Sequence, residues 1–213
     1  MKSTELQLLH AARYLGYTFL LLLGIVHFLK PEISPTWRLI SEYEIGRYGW
    51  VMRQAFFCWG GGFLCLSLSL WNQLLSKSGT IGKWWLLIIS VALFGAGIFA
   101  SQPITDVVRG TVDKIHSICG AIMIFTLPVA ATIISTALAK QPAYRNSRRW
   151  LFLPTLLLWI GWLTFFAALM VYSEKAKIRA YGPDVLIGLP NRFMVVTYTI
   201  WLIAVAQLRI RNY

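Results

Sequence analysis

Six long apolar segments, separated by short polar ones, leave this 213-residue chain essentially one kind of fold. A helix rises about 1.5 Å per residue and membrane hydrocarbon is about 30 Å thick, so a span takes about 20 apolar residues. Segments of that kind run over Ala11–Leu29, Trp50–Leu75, Lys83–Ala100, Ile115–Ala139, Trp150–Tyr172 and Phe193–Leu208. In lipid every backbone N–H and C=O needs a partner inside the protein, which makes each segment a helix. Hydrophobic residues are 57% of the chain and charged residues 13%, a balance foreign to soluble domains. The connecting loops are too short to form one. The expected fold is therefore all-α, a polytopic transmembrane helical bundle with six spans in a single domain over residues 1–213. Arg13 precedes the first apolar run as in a signal peptide, but the run ends Val26-His27-Phe28-Leu29-Lys30-Pro31 with no small-x-small cleavage site. It reads as a retained helix, ended by Pro31 and Pro35.

Alternating spans put the N-terminus, the second and fourth loops and the C-terminus on one membrane face. The first, third and fifth loops share the other. Of eight Asp and Glu residues only Glu5 falls on the first face; Glu32, Glu42, Glu44, Asp106, Asp113, Glu174 and Asp184 fall on the second. Charge at membrane depth is expensive, so carboxylates gathered at one face point to a site there. Lys and Arg divide ten to each face, so the positive-inside rule does not choose between the two orientations. Arg145, Arg148 and Arg149 favour a cytoplasmic fourth loop, while Lys175, Lys177 and Arg179 argue the opposite way. The expectation is a multi-pass protein of the bacterial inner (plasma) membrane, or another internal membrane, with both termini in the cytoplasm. The net charge of +12 is scattered over short loops, where each basic residue is worth about 1 kcal/mol against anionic headgroups. Membrane lipids are the expected partners, and nucleic acid is not. Cys58, Cys65 and Cys119 all lie inside spans and read as small packing residues.

Gly60-Gly61-Gly62 and Gly95-x-Gly97 mark places where helices approach closely, because lipid supplies no hydrophobic drive between them. Three glycines together also weaken a helix, so a bend or a pocket wall is the competing reading. Pro128 and Pro154 each free a carbonyl inside a span, and neighbouring groups must satisfy it. Trp50, Trp84, Trp85, Trp150 and Tyr172 sit at span ends, the level that aromatic rings prefer. Trp59, Trp159, Trp162 and Trp201 lie deeper, as core residues or as walls of a lipid pocket.

Three segments bring polar chemistry to the second face. The first is Ile40-Ser41-Glu42-Tyr43-Glu44-Ile45-Gly46-Arg47-Tyr48-Gly49-Trp50, with Arg53 one turn further on. The second is Phe99-Ala100-Ser101-Gln102-Pro103-Ile104-Thr105-Asp106, followed by Gly110-Thr111-Val112-Asp113-Lys114-Ile115-His116. The third is Gly188-Leu189-Pro190-Asn191-Arg192-Phe193, where Asn191 is placed to cap the sixth helix with Arg192 in its first turn. Asp113 and His116, three apart, share a helix face, and His27 reaches the same membrane face. This combination resembles the bacterial and archaeal membrane-protein family known as domain of unknown function 998: Ser-Glu-Tyr and Gly-x-Tyr-Gly-Trp before span two, Asp106, Gly110 through His116, and Asn-Arg at span six. The resemblance covers nearly the whole chain. The family typically has Pro or Thr near the aspartate and Gln-Arg at the last span; here Ile104-Thr105 precede Asp106, and Asn191 replaces Gln. The resemblance implies no activity.

The residues themselves must then carry the function. Glu42, Arg47, Asp106, His116 and Arg192 are expected to converge in one outward-facing pocket with a carboxylate beside Arg192. Ser41, Tyr43, Arg53, Asp113 and Asn191 complete the binding set. As a latch, Glu42 and Asp106 would pair with Arg47, Arg53 and Arg192. As a binding site, the arginines would face the headgroup of an anionic lipid or amphiphile. As an enzyme, a lipid hydrolase or headgroup transferase, His116 would be a general acid or base oriented by Asp106 or Asp113, with Ser41 or water as nucleophile. The lipid or amphiphile site is the favoured reading; the enzyme and a non-catalytic subunit of a membrane complex are the alternatives. A metal would need His27 and His116 with Asp106 or Glu42, and no HxxxH or HExxH spacing supports it. No cofactor is expected. Transporters place coupling charges near the midplane and often carry internal repeats, and this chain shows neither pattern.

Overall fold

A computed structural model describes residues 2–174 and 181–212; Lys175, Lys177 and Arg179, part of the orientation argument, lie outside them. Among the described residues six membrane-length α-helices follow one another: α1 (Lys2–Leu29), α2 (Gly49–Ser69), α3 (Lys77–Ile98), α4 (Thr111–Ala139), α5 (Arg149–Val171) and α6 (Gly188–Arg211). Two 3-10 turns, Ile40–Glu44 and Pro142–Ser147, break the loops, and no strand occurs among the described residues. Each of the six helices is long and apolar enough to cross a membrane. The six-span, all-helical bundle read from the apolar segments is what the chain forms.

Helix ends differ from the apolar boundaries for local reasons. α1 begins at Lys2 rather than Ala11, and its polar start is held by Glu5, which accepts from Arg209 of α6 and from Gln73 at 3.0 Å. α3 begins at Lys77 rather than Lys83 because the Ser76 hydroxyl caps it, accepting from Gly79 N at 3.1 Å. α6 begins at Gly188 rather than near Phe193. Asn191 consequently lies inside the helix and does not cap it.

Each helix packs on the next, and α6 returns to α1, closing a ring. α2 and α6 are the most buried spans and meet across the interior. The glycine run explains how. A Cβ on Gly60 would press on Ser90 O and Leu93 of α3, one on Gly61 on Leu15 of α1, and one on Gly62 on Leu202 of α6. Three neighbours thus approach one helix, and Ser90 Oγ donates to the bared Gly60 carbonyl at 2.8 Å. Close packing, not a pocket wall, is the use of these glycines. Trp59 stacks on Phe19 at 4.4 Å, and Trp201 donates to Ser135 and Thr155 at 3.1 and 3.2 Å, so both belong to the core.

Pro128 lies inside α4 and cannot donate to the carbonyl four residues before it, Ile124 O. Tyr198 of α6 supplies the missing donor, its hydroxyl reaching Ile124 O at 2.7 Å. The ring is thinnest between α4 and α5. Across that seam Trp159 donates to Thr132 at 2.9 Å.

Candidate functional site

The site is built where the loops after α1, α3 and α5 meet. The first loop is folded by backbone demands. Gly46 and Tyr48 both have positive φ, at 70° and 63°, and a side chain on Gly49 would run into the Glu44 carbonyl. The Gly-x-Tyr-Gly pattern is thus a tight return that sets the Ile40–Glu44 turn against the head of α2. Lys30, 2% exposed, donates to the carbonyls of Tyr43 and Ile45 and pins that turn to the end of α1. The start of α6 is pressed on the same loop, with Gly188 N donating to Thr36 O at 2.8 Å.

The α3–α4 loop is non-helical through residues 99–103, so its amides need partners from elsewhere. Three carboxylates provide them. Glu44 Oε2 accepts from Ser101 N at 3.0 Å, Asp113 Oδ1 from Gln102 N at 2.8 Å, and Glu42 Oε2 from Ile104 N at 3.0 Å. All three carboxylates are at most 2% exposed. Glu42 also accepts from Leu39 N at 2.9 Å and pairs with Arg38 at 2.6 Å. Asp113 pairs with Arg109 through both oxygens at 3.1 Å. Glu44 has no such arginine in contact among the described residues. Burial pushes its carboxyl up to about 8, against the opposing pull of the Ser101 amide and the charge of Arg53. Its Oε1 is buried with no hydrogen-bond partner.

Arg192 forms a second knot beside the first. It donates to His27 Nε2 at 2.8 Å, to the carbonyls of Arg38 and Gly188 at 2.7 and 3.1 Å, and to the Tyr43 hydroxyl at 3.1 Å. His27 Nδ1 donates in turn to Leu23 O at 2.6 Å, which leaves Nε2 free to accept. The carboxylate expected beside Arg192 is instead a histidine, a phenol and two carbonyls; Glu42 has taken Arg38.

Next to these knots lies a cavity of about 260 Å³. Its polar end presents Ser41, Glu42, Gln102, Arg109, Asp113, His116 and Asn191, and its apolar end Phe56, Leu93, Met123, Ile124, Phe165 and Met194. Ser117 and Phe125 of α4 line it and are also exposed, so it reaches the outside of the bundle along the α4–α5 seam. His116 Nδ1 donates to Phe99 O at 2.8 Å and Ala96 O at 3.0 Å and stands 3.5 Å from Glu44 Oε2. Carbonyls only accept, so Nδ1 holds the proton and Nε2 is the acceptor of the neutral ring. Asn191 Oδ1 accepts from Ile40 N at 3.1 Å and Gln102 Oε1 from Gly110 N at 2.7 Å, which turns both amide nitrogens the other way.

The structure therefore gathers Ser41, Glu42, Asp113, His116 and Asn191 at one cavity, with Tyr43 and Arg192 in the adjoining knot. It does not bring Arg47 and Arg53 there: both are exposed, and Arg47 lies over the Tyr48 ring at 4.7 Å. Asp106 does not line the cavity, and the carboxylate against the His116 ring is that of Glu44. His27 and His116 belong to separate knots, and among the described residues no three His, Cys, Asp or Glu side chains gather as metal ligands. The binding set expected from the sequence leaves out Arg38, Glu44, Gln102 and Arg109. Two of them stand four residues before a site carboxylate, Arg38 before Glu42 and Arg109 before Asp113, but neither arginine lies inside a helix, so the spacing is a weak signal.

The fold and this face define a multi-pass membrane protein with an amphipathic cavity between its helices. Residues 16–208 match the family described as protein of unknown function DUF998, and the chain belongs to that family. No curated protein and no solved structure matches it.

Proposed function

We propose that this protein binds a membrane amphiphile in the cavity between α3, α4, α5 and α6, taking it sideways through the α4–α5 seam. One observation carries the reading: a single cavity has hydrogen-bonding groups at its membrane-face end and only apolar side chains beyond them. Ligand sites combine apolar walls with a few placed polar groups in this way. A volume of 260 Å³ corresponds to roughly nine water-sized units. That accommodates a head and the first carbons of one chain, with the remainder running out along the seam.

Gly120 supplies the test. It lines the cavity, and a Cβ built on it meets nothing within 4 Å. Gly120→Leu should therefore fill the site without disturbing packing, and replacing a helical glycine favours the helix by up to about 1 kcal/mol. Native mass spectrometry of purified wild type should retain a co-purifying amphiphile that Gly120→Leu loses while its thermal stability holds or rises. Equal retention by both proteins defeats the reading and turns attention to the role of subunit in a membrane complex.

A second reading, a lipid-modifying enzyme, draws support from His116 alone. The residue lines the cavity, its Nε2 has no hydrogen-bond partner among the described residues, and its Nδ1 side is held by two carbonyls beside Glu44. In this reading His116 is the general base for an attacking water, and Glu44, not Asp106, is its neighbour.

A further inference from the structure

We propose that the head selected by this cavity is uncharged, a hydroxyl- and carbonyl-bearing single-chain amphiphile of the monoacylglycerol type rather than an anionic lipid. The inference rests on the reading of the cavity as an amphiphile site and concerns what that site accepts. Among the described residues three charged side chains face the cavity, Glu42, Asp113 and Arg109, and all three are engaged within the protein. Glu42 accepts from Arg38, Leu39 N and Ile104 N. Asp113 accepts from Arg109 and Gln102 N, and Arg109 also donates to the carbonyls of Gln102 and Ile104.

An entering phosphate would meet two carboxylates and a single cation. To pair with Arg109 it must draw the guanidinium from Asp113 and strand a buried carboxylate, which is strongly unfavourable. The arginines that could have made the site anion-selective are elsewhere: Arg47 and Arg53 are exposed, and Arg192 is filled by His27, Tyr43 and two carbonyls. A cationic head faces the mirror problem, because Arg38 and Arg109 already occupy the carboxylates.

The uncommitted groups lining the cavity are neutral. Among the described residues, Asn191 and Gln102 each have a free amide nitrogen, Ser41 and Ser117 have free hydroxyls, and His116 Nε2 is a free acceptor. Asn191 and His116 are 5% and 6% exposed, so their free atoms have little besides the cavity to address. Amide donors suit an ester carbonyl, and an imidazole acceptor suits a hydroxyl. The volume holds a head and the first carbons of one chain.

The test compares two probes with the same chain, 1-oleoylglycerol and 1-oleoyl-lysophosphatidylglycerol, on the intact protein by native mass spectrometry, in wild type and Gly120→Leu. The glycerol ester should be retained more tightly by at least about tenfold, a floor well under the roughly hundredfold or more that breaking a fully buried pair implies, and Gly120→Leu should abolish that retention. Arg47→Gln and Arg53→Gln should leave the preference unchanged. Equal or tighter retention of the phosphate lipid in a Gly120→Leu-sensitive manner overturns the head assignment while the cavity reading stands. Retention of neither probe in that manner overturns both.

Discussion

Glu44 is the residue where burial, charge and backbone meet most sharply. Its carboxyl is held against the Ser101 amide with one oxygen unpartnered, and burial lifts it from 4.5 to about 8. A carboxyl raised in the folded state keeps its proton there after the unfolded chain has lost it, so folding binds protons between those two values. The stabilisation is fully present below 4.5 and is lost as pH rises through about 8. Thermal unfolding in detergent should therefore show Glu44→Gln, which keeps an acceptor for Ser101 N, gaining stability relative to wild type as pH rises from 5 towards 8. Parallel slopes in the two proteins would refute the assignment. The sequence marks the face through its concentration of acids, but not who neutralises whom. Arg38 precedes Glu42 by four in a segment where Pro31 and Pro35 argue against helix, so the spacing carries little weight until the 3-10 turn is seen. Asp106 and Glu44 are equally acidic in the sequence, and only the folded loop hands His116 to Glu44.

Among the elements, α4 shows how a broken helix is repaired from outside. Pro128 leaves Ile124 O without its helical donor, and Tyr198 reaches across from α6 to fill the gap. Tyr198→Phe should cost about 1–3 kcal/mol, the penalty of an unsatisfied buried carbonyl. Pro128→Ala restores an N–H to that carbonyl, so the double variant should recover most of the loss; additive losses would show that the hydroxyl matters for another reason. The spans themselves were legible because membrane thickness sets their length. Their ends were not, since Ser76 and Gly188 act through a cap and a backbone contact that hydropathy does not register. The glycine triplet was legible as a contact but ambiguous as to purpose until its three neighbours were known.

At the scale of the whole molecule, the ring fixes which loops share a face but not which compartment that face meets. The basic cluster Arg145, Arg148 and Arg149 argues for a cytoplasmic α4–α5 loop. A reporter fused after Gln141 should give a cytoplasmic signal, and an exported signal would place the polar knots in the cytoplasm instead. The ring is uneven, and its weakest seam is where the cavity comes to the surface between two membrane-length helices. On the amphiphile reading proposed above, a ligand entering there arrives from the plane of the bilayer rather than as a free solute. Occupancy would then follow the ligand's mole fraction among the surrounding lipids, and diluting the sample with buffer would change it little. Adding bystander lipid or detergent would empty the site, a surface-dilution behaviour that a water-facing cavity of the same volume would not share.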